Sequence, residues 1–219
     1  MKIYFDGCSM TKGFGYLGDN YEDIRWSKLL CNKLNAEEYN VSKSGGSNQR
    51  ILRNLAREYF DEQFDMAVIQ LTFISRTEYH DGSNFVPINS HVKREPDGSY
   101  KIENTTRNFI HEHKRWGGKR LKNGSYSPFW GNYYTNVYND EFGNAMEETV
   151  YNSVKSICKA KNIPLVMLSC FKNTKLNYDI MITPDKYEAV SKNNPHPNAE
   201  SQILIADDIY NFLYRSKHT

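Results

Sequence analysis

The sequence predicts an α/β fold: a three-layer α/β/α sandwich around a mostly parallel central sheet, with an irregular, aromatic-rich insert. Three observations predict it. Short apolar runs alternate with amphipathic helical patterns along the chain. The runs Met66–Leu71 and Pro164–Ser169 are apolar nearly throughout, as in strands buried on both faces. The stretch from about 77 to 136 loses both periodicities and is dense in Gly, Pro and aromatic residues.

Lys2-Ile3-Tyr4-Phe5 reads as the first strand, and Gly7 permits a tight turn after it. Tyr21–Leu34 follows as a helix, with Ile24, Trp26, Leu29, Leu30 and Leu34 roughly on one face. Glu38–Val41 forms a short second strand. Ser47–Phe60 is a helix with Ser47 or Asn48 near its N-cap, and Met66–Leu71 is the third strand. In the insert, Asp97-Gly98 and Asn123-Gly124 mark turns. Helical spacing returns over Asn139–Lys161, through Phe142, Met146, Val150, Val154, Ile157 and Cys158. Pro164–Ser169 is a further buried-type strand, and Ala199–Tyr214 closes the chain as an amphipathic helix with Ile203, Ile205, Ala206, Ile209, Phe212 and Leu213. Such alternation implies right-handed crossovers and ligands outside the carboxyl ends of the strands. Three segments reach that edge: Gly7–Thr11, Ser42–Asn48 and Thr72–Glu78.

At 219 residues the chain is expected to form one domain, 1–219, with the insert at about 77–136 after the third strand. A net charge of +2 is too small to indicate nucleic acid as a partner. No apolar run approaches the ~20 residues of a membrane span. No secretory signal is visible at the N-terminus, which points to a cytoplasmic location. Cys8, Cys31, Cys158 and Cys170 lie far apart with no His at ligand spacing, so no disulfide framework, metal or other cofactor is expected.

Ser9 stands where a buried strand stops and the chain bends toward a helix. A serine there exposes its hydroxyl at the rim of the sheet beside backbone N–H groups, the geometry a nucleophilic hydrolase needs. On this segment alone, a serine capping a helix is the other reading. Gly45-Gly46 ahead of a helix frees backbone N–H groups to approach an anion, without the spacing of a P-loop. His196, held between Pro195 and Pro197 just before the last helix, is the best placed of the six histidines for catalysis.

In order, Gly7-Cys8-Ser9-Met10-Thr11, Gly45-Gly46-Ser47-Asn48 and Asn193-x-x-His196-Pro197 resemble three blocks of the SGNH/GDSL hydrolase superfamily. Val68–Thr72 with Arg76-Thr77-Glu78 is similar to a branch common in phage and environmental bacterial genomes. The resemblance implies a flavodoxin-like sheet, Ser9 as nucleophile, His196 as base and Asn193 in the position of the acid. It implies an oxyanion hole from the backbone N–H of Ser9 and of Gly46 or Gly45, within a substrate-binding set of Gly45, Gly46, Asn48, Thr72 and Arg76.

The chain departs from the family at three points. Cys8 stands where an Asp is usual. Asn193 replaces the acid; it can orient an imidazole but carries no charge. That leaves a Ser–His dyad, a carboxylate recruited from Asp179, Asp185 or Glu188, or an impaired site. The third-block Asn is missing, and Thr72, Ser75 or Arg76 could substitute. Arg76 could stabilise an oxyanion, hold an anionic substrate, or pair with Glu78 at the surface.

The implied function is a serine hydrolase that cleaves an acyl ester, by preference acetyl, of a small molecule or a carbohydrate. The alternative is a catalytically impaired binding module or virion structural module of the same fold, which adds a virion to the expected locations. Trp116, Tyr126, Phe129, Trp130, Tyr133 and Tyr134 either stack on sugar faces or pack the insert onto the domain. The oligomeric state is left open.

Overall fold

The computed structural model describes residues 1–13, 20–58, 63–80, 83, 85–88, 90–94, 100–105, 133, 137–170, 175–183, 185–191 and 194–216. The first half holds β1 (Lys2–Asp6), α1 (Ser9–Lys12), α2 (Tyr21–Ile24), α3 (Trp26–Leu34), β2 (Glu37–Asn40), α4 (Asn48–Arg53) with a π-helical turn (Asn54–Glu58), and β3 (Met66–Leu71). Four strands follow: β4 (Thr77–His80), β5 (Phe85–Ile88), β6 (Ser90–Arg94) and β7 (Tyr100–Thr105). The chain continues through α5 (Asp140–Ala160), β8 (Leu165–Ser169), β9 (Ile180–Met181), β10 (Ala189–Ser191), β11 (Asn194–Pro197) and α6 (Ala199–Ser216).

The central sheet runs β2-β1-β3-β8-β9, and all four of its pairings are parallel. Counted along its own strands this is the 2-1-3-4-5 order of flavodoxin-like folds. Period-two alternation divides the core. Ile3, Phe5, Met66, Val68, Val166 and Leu168 face α3 and α6, where Trp26, Leu30, Ile205 and Ile209 meet them. Tyr4, Ala67, Ile69, Leu71 and Met167 face α4 and α5, against Ile51, Leu55, Val150 and Val154. Each fully buried side chain of this size contributes about 1.5–3 kcal/mol. Every residue of β3 is buried, which is why its sequence reads as a continuous apolar run. Register sets Asp6 opposite Ile69 and Leu71 opposite Ser169, so the carboxyl ends of these strands form one rim.

Several elements differ from the sequence expectation. The Tyr21–Leu34 helix is two helices, broken at Arg25, whose extended backbone (φ −68°, ψ 144°) caps α3. Arg25 is held there by Glu38, with Nη2 at 2.8 Å and Nε at 3.0 Å from its carboxylate. β2 starts one residue earlier than expected. The expected Ser47–Phe60 helix is α-helical only to Arg53 and π-helical to Glu58; 59–62 lie outside the described residues.

The insert is not wholly irregular. β4 pairs with β5 and β6 with β7, both antiparallel. Its aromatics Trp116, Tyr126, Phe129, Trp130 and Tyr134 lie outside the described residues. Phe142 and Ile203, both part of the apolar helical spacing, are 45% and 49% exposed. Among the described residues no helix is long and apolar enough to cross a membrane.

Candidate active site

The nucleophile turn is built from both sides. Gly7 has no room for a Cβ, which would lie 2.4 Å from Thr11 Oγ1. α1 therefore folds back tightly over the sheet edge, and Thr11 Oγ1 donates to Gln70 Oε1 at 2.6 Å. The cap position of α1 is Cys8, not Ser9, and Cys8 has no side-chain cap bond. Ser9 is the first helical residue, 8% exposed, and its Oγ lies 2.7 Å from His196 Nε2. The capping reading of Ser9 thus gives way to a Ser–His contact. Trp26 Nε1 donates to Met10 O at 3.1 Å and ties the turn to α3.

His196 sits on a strand, not in a loop: β11 pairs antiparallel with β10 through Ala189–Pro197 and Ser191–Asn194. Gln202 of α6 braces it. Its Nε2 donates to Pro197 O at 3.2 Å while its Oε1 accepts the Trp26 N–H at 2.9 Å. One buried amide thereby links the histidine's strand to the tryptophan that holds the serine's turn. Burial and the Arg76 guanidinium push the His196 imidazole down to about 4, so the ring is neutral at pH 7.

The second loop is pinned on the first. Lys43 N–H donates to Gly7 O at 3.2 Å. Gly46 N–H closes a turn onto Lys43 O at 2.8 Å, with Gly45 at φ 73° in its third position, where glycine is favoured. The Gly46 N–H is therefore spent within the loop. Beneath the loop Asp6, fully buried, accepts from Arg50 Nη1 at 2.7 Å, Asn54 Nδ2 at 3.0 Å and Gly7 N–H at 2.7 Å. Arg50 also donates to Val41 O.

The third loop is fixed by Asn48. Its Nδ2 donates to Thr72 O at 3.1 Å and its Oδ1 accepts the Thr72 N–H at 2.7 Å. Both ends of that amide hold the Thr72 backbone, and the second Nδ2 hydrogen is not used by either bond. Thr72 Oγ1 accepts from Arg76 Nη1 at 2.6 Å, and the guanidinium lies 4.6 Å from the Phe73 ring centroid. Arg76 is not paired with Glu78, whose carboxylate takes Arg53 Nε at 2.9 Å instead. Gln70 Nε2 lies 3.3 Å from Cys8 Sγ. Burial opposes ionisation of that thiol. Arg76, the Met10 N–H, Gln70 and the Thr72 hydroxyl outweigh it and draw the thiol below its ordinary value.

Asn193 lies outside the described residues. Asp179 accepts the Met167 N–H at 2.7 Å, in a separate cavity of about 340 Å³ lined by Tyr151, Lys155, Met167 and others, which holds none of the site residues. Glu188 accepts from Asn198 Nδ2 at 3.4 Å, and Asp185 is exposed. Among the described residues no group of three His, Cys, Asp or Glu side chains is placed to hold a metal. Sequence reasoning missed Asp6, Arg50, Gln70 and Gln202. Gln70 carried a signal: an amide inside an apolar strand needs a partner, and at the carboxyl end that partner is the site.

Solved structures share this fold. The psychrotrophic esterase EstA from Pseudoalteromonas sp., inhibited by monoethylphosphonate, superposes with a TM-score of 0.54 at 12% identity, over 100% of this chain and 99% of that one. A carbohydrate esterase whose active site displays divergent catalytic and non-catalytic binding functions matches 98% of the chain, with a TM-score of 0.52 and 14% identity. The acetyl xylan esterase Est2A from the rumen bacterium Butyrivibrio proteoclasticus matches 99%, at 0.50 and 13%. The chain spans 64% of the length of each of the latter two. No family model and no curated protein sequence matches it. The α/β/α architecture is the one these esterase structures share.

Proposed function

We propose that this chain is a serine ester hydrolase. Ser9 Oγ attacks the ester carbonyl carbon as its proton passes to His196 Nε2. The backbone N–H groups of Ser9 and Gly45 hold the oxyanion. The C–O bond to the leaving alcohol breaks, and His196 returns the proton to that oxygen. Water, deprotonated by the same imidazole, then attacks the acyl carbon; the bond to Ser9 Oγ breaks, the acid leaves, and the imidazolium returns its proton to Oγ.

The observation that carries this reading is the 2.7 Å contact between two side chains 187 residues apart in sequence. The fold brings them together at the rim, next to a loop pinned close to Gly7. A positioned base contributes on the order of 10²–10⁴-fold, and one oxyanion donor about 2.7–4 kcal/mol. Two neighbours of the same fold are a carbohydrate esterase and an acetyl xylan esterase. Acetyl esters on a glycan are therefore the substrate class to assay first.

Ser9→Ala should abolish turnover of p-nitrophenyl acetate and of acetylated xylo-oligosaccharides. His196→Ala should lower it by on the order of 10²–10⁴-fold. A fluorophosphonate should label the wild type at Ser9 and leave Ser9→Ala unmarked. Hydrolysis that survives both substitutions would remove the assignment. A wild type that neither hydrolyses nor labels would be a binding module with this fold.

A further inference from the structure

We propose that Arg76 is a counter-charge for the substrate: the ester cleaved here carries an anionic oxygen group, a carboxylate or phosphate, on its alcohol side. The inference rests on the serine-hydrolase reading and narrows its substrate class.

Four observations support it. Arg76 is anchored at the site: Nη1 donates to Thr72 Oγ1 at 2.6 Å, and Thr72 is fully buried and clipped on both backbone groups by Asn48. The Thr72 hydroxyl reaches Cys8, the neighbour of Ser9, so the guanidinium stands one side chain away from the nucleophile turn. Its face lies on Phe73, which leaves the N–H edge for planar oxygen pairs. Among the described residues no carboxylate pairs with it, since Glu78 is taken by Arg53 at 2.9 and 3.3 Å.

A half-buried cation with no carboxylate partner among the described residues, beside a histidine that must become cationic during catalysis, works against the reaction. Like charges in a partly desolvated site repel strongly. An anion bound on Arg76 removes that opposition and favours the imidazolium that forms as Ser9 attacks. Such a substrate gains in the transition state as well as in binding. With a small acyl group such as acetyl, the anion belongs to the alcohol.

The test compares acetyl esters that differ in one charge: 3-acetoxybenzoate and 3-acetoxyphenyl phosphate against neutral 3-acetoxybenzamide. Wild type should favour at least one anionic ester in kcat/KM by about tenfold or more, as a charge-assisted pair is worth. Which one leads identifies carboxylate or phosphate. Arg76→Gln should bring that ratio down toward one, and Arg76→Lys should restore part of it. A wild-type ratio near or below one, or a ratio that Arg76→Gln leaves unchanged, overturns the inference while esterase activity stands. An equal loss on charged and neutral esters makes Arg76 an oxyanion donor and also overturns it. An enzyme that turns over none of the three and does not label at Ser9 loses the hydrolase reading itself, and this inference with it.

Discussion

His196 is set by two neighbours that act in the same direction: an apolar burial that disfavours its charge and the Arg76 guanidinium that repels it. The rate should show this. With a neutral ester, the acid limb of kcat/KM should fall near pH 4 rather than near 6.5, and Arg76→Gln should move it upward. A wild-type limb near the ordinary histidine value would contradict the placement of these groups. Stability follows with a definite sign. The unfolded chain binds the proton near pH 6.5 and the folded one near 4, so acidification through that window favours unfolding. Wild type should therefore lose more melting temperature between those pH values than His196→Gln does. Ser9 and His196 were legible in the sequence because a strand-ending Gly-x-Ser and a proline-flanked His are local patterns. Asp6 was not, because its meaning depends on Arg50, 44 residues away, and on Asn54, 48 away.

At the scale of elements, the histidine rides on a hairpin that is weak by itself. β10 and β11 have three and four residues, and Pro195 and Pro197 cannot donate to a ladder. Gln202 supplies the outside support, by holding Pro197 O and the Trp26 N–H together. Gln202→Met fills the same space and leaves both backbone groups unpartnered, at a cost of about 1–3 kcal/mol. Its particular consequence should be slower fluorophosphonate labelling of Ser9, measured well below the melting transition. A stability loss with an unchanged labelling rate would make Gln202 structural only. The long helices and the buried strands were legible because their periods extend over many residues. β10 and β11 were not: a few residues, two of them proline, carry no alternation to read. The break at Arg25 was hidden for another reason. The apolar spacing continues across it, and what interrupts the helix is a carboxylate on β2.

Across the whole molecule, the two faces of the sheet hold cores of similar composition but unequal relation to the site. The core under α3 and α6 includes Cys8 and Met10, the residues on either side of Ser9, with Trp26 and Leu30 around them. The core under α4 and α5 contains neither. Leu30 and Ile69 are both fully buried, one in each core. Truncation to alanine should cost about 2–5 kcal/mol at either position, since each leaves a cavity that the packing closes only in part. The two variants should melt alike and react differently. Leu30→Ala loosens the packing that holds Trp26 against Met10 O and so the angle at which Ser9 meets His196. Ile69→Ala opens a cavity across the sheet, where Asp6 and Arg50 still fasten the loop. At a temperature where both variants remain folded by circular dichroism, Leu30→Ala should label at Ser9 several-fold more slowly than Ile69→Ala. Equal labelling rates at matched stability would mean that the nucleophile turn is held by its own hydrogen bonds, and that the α3/α6 core gives it no support beyond folding.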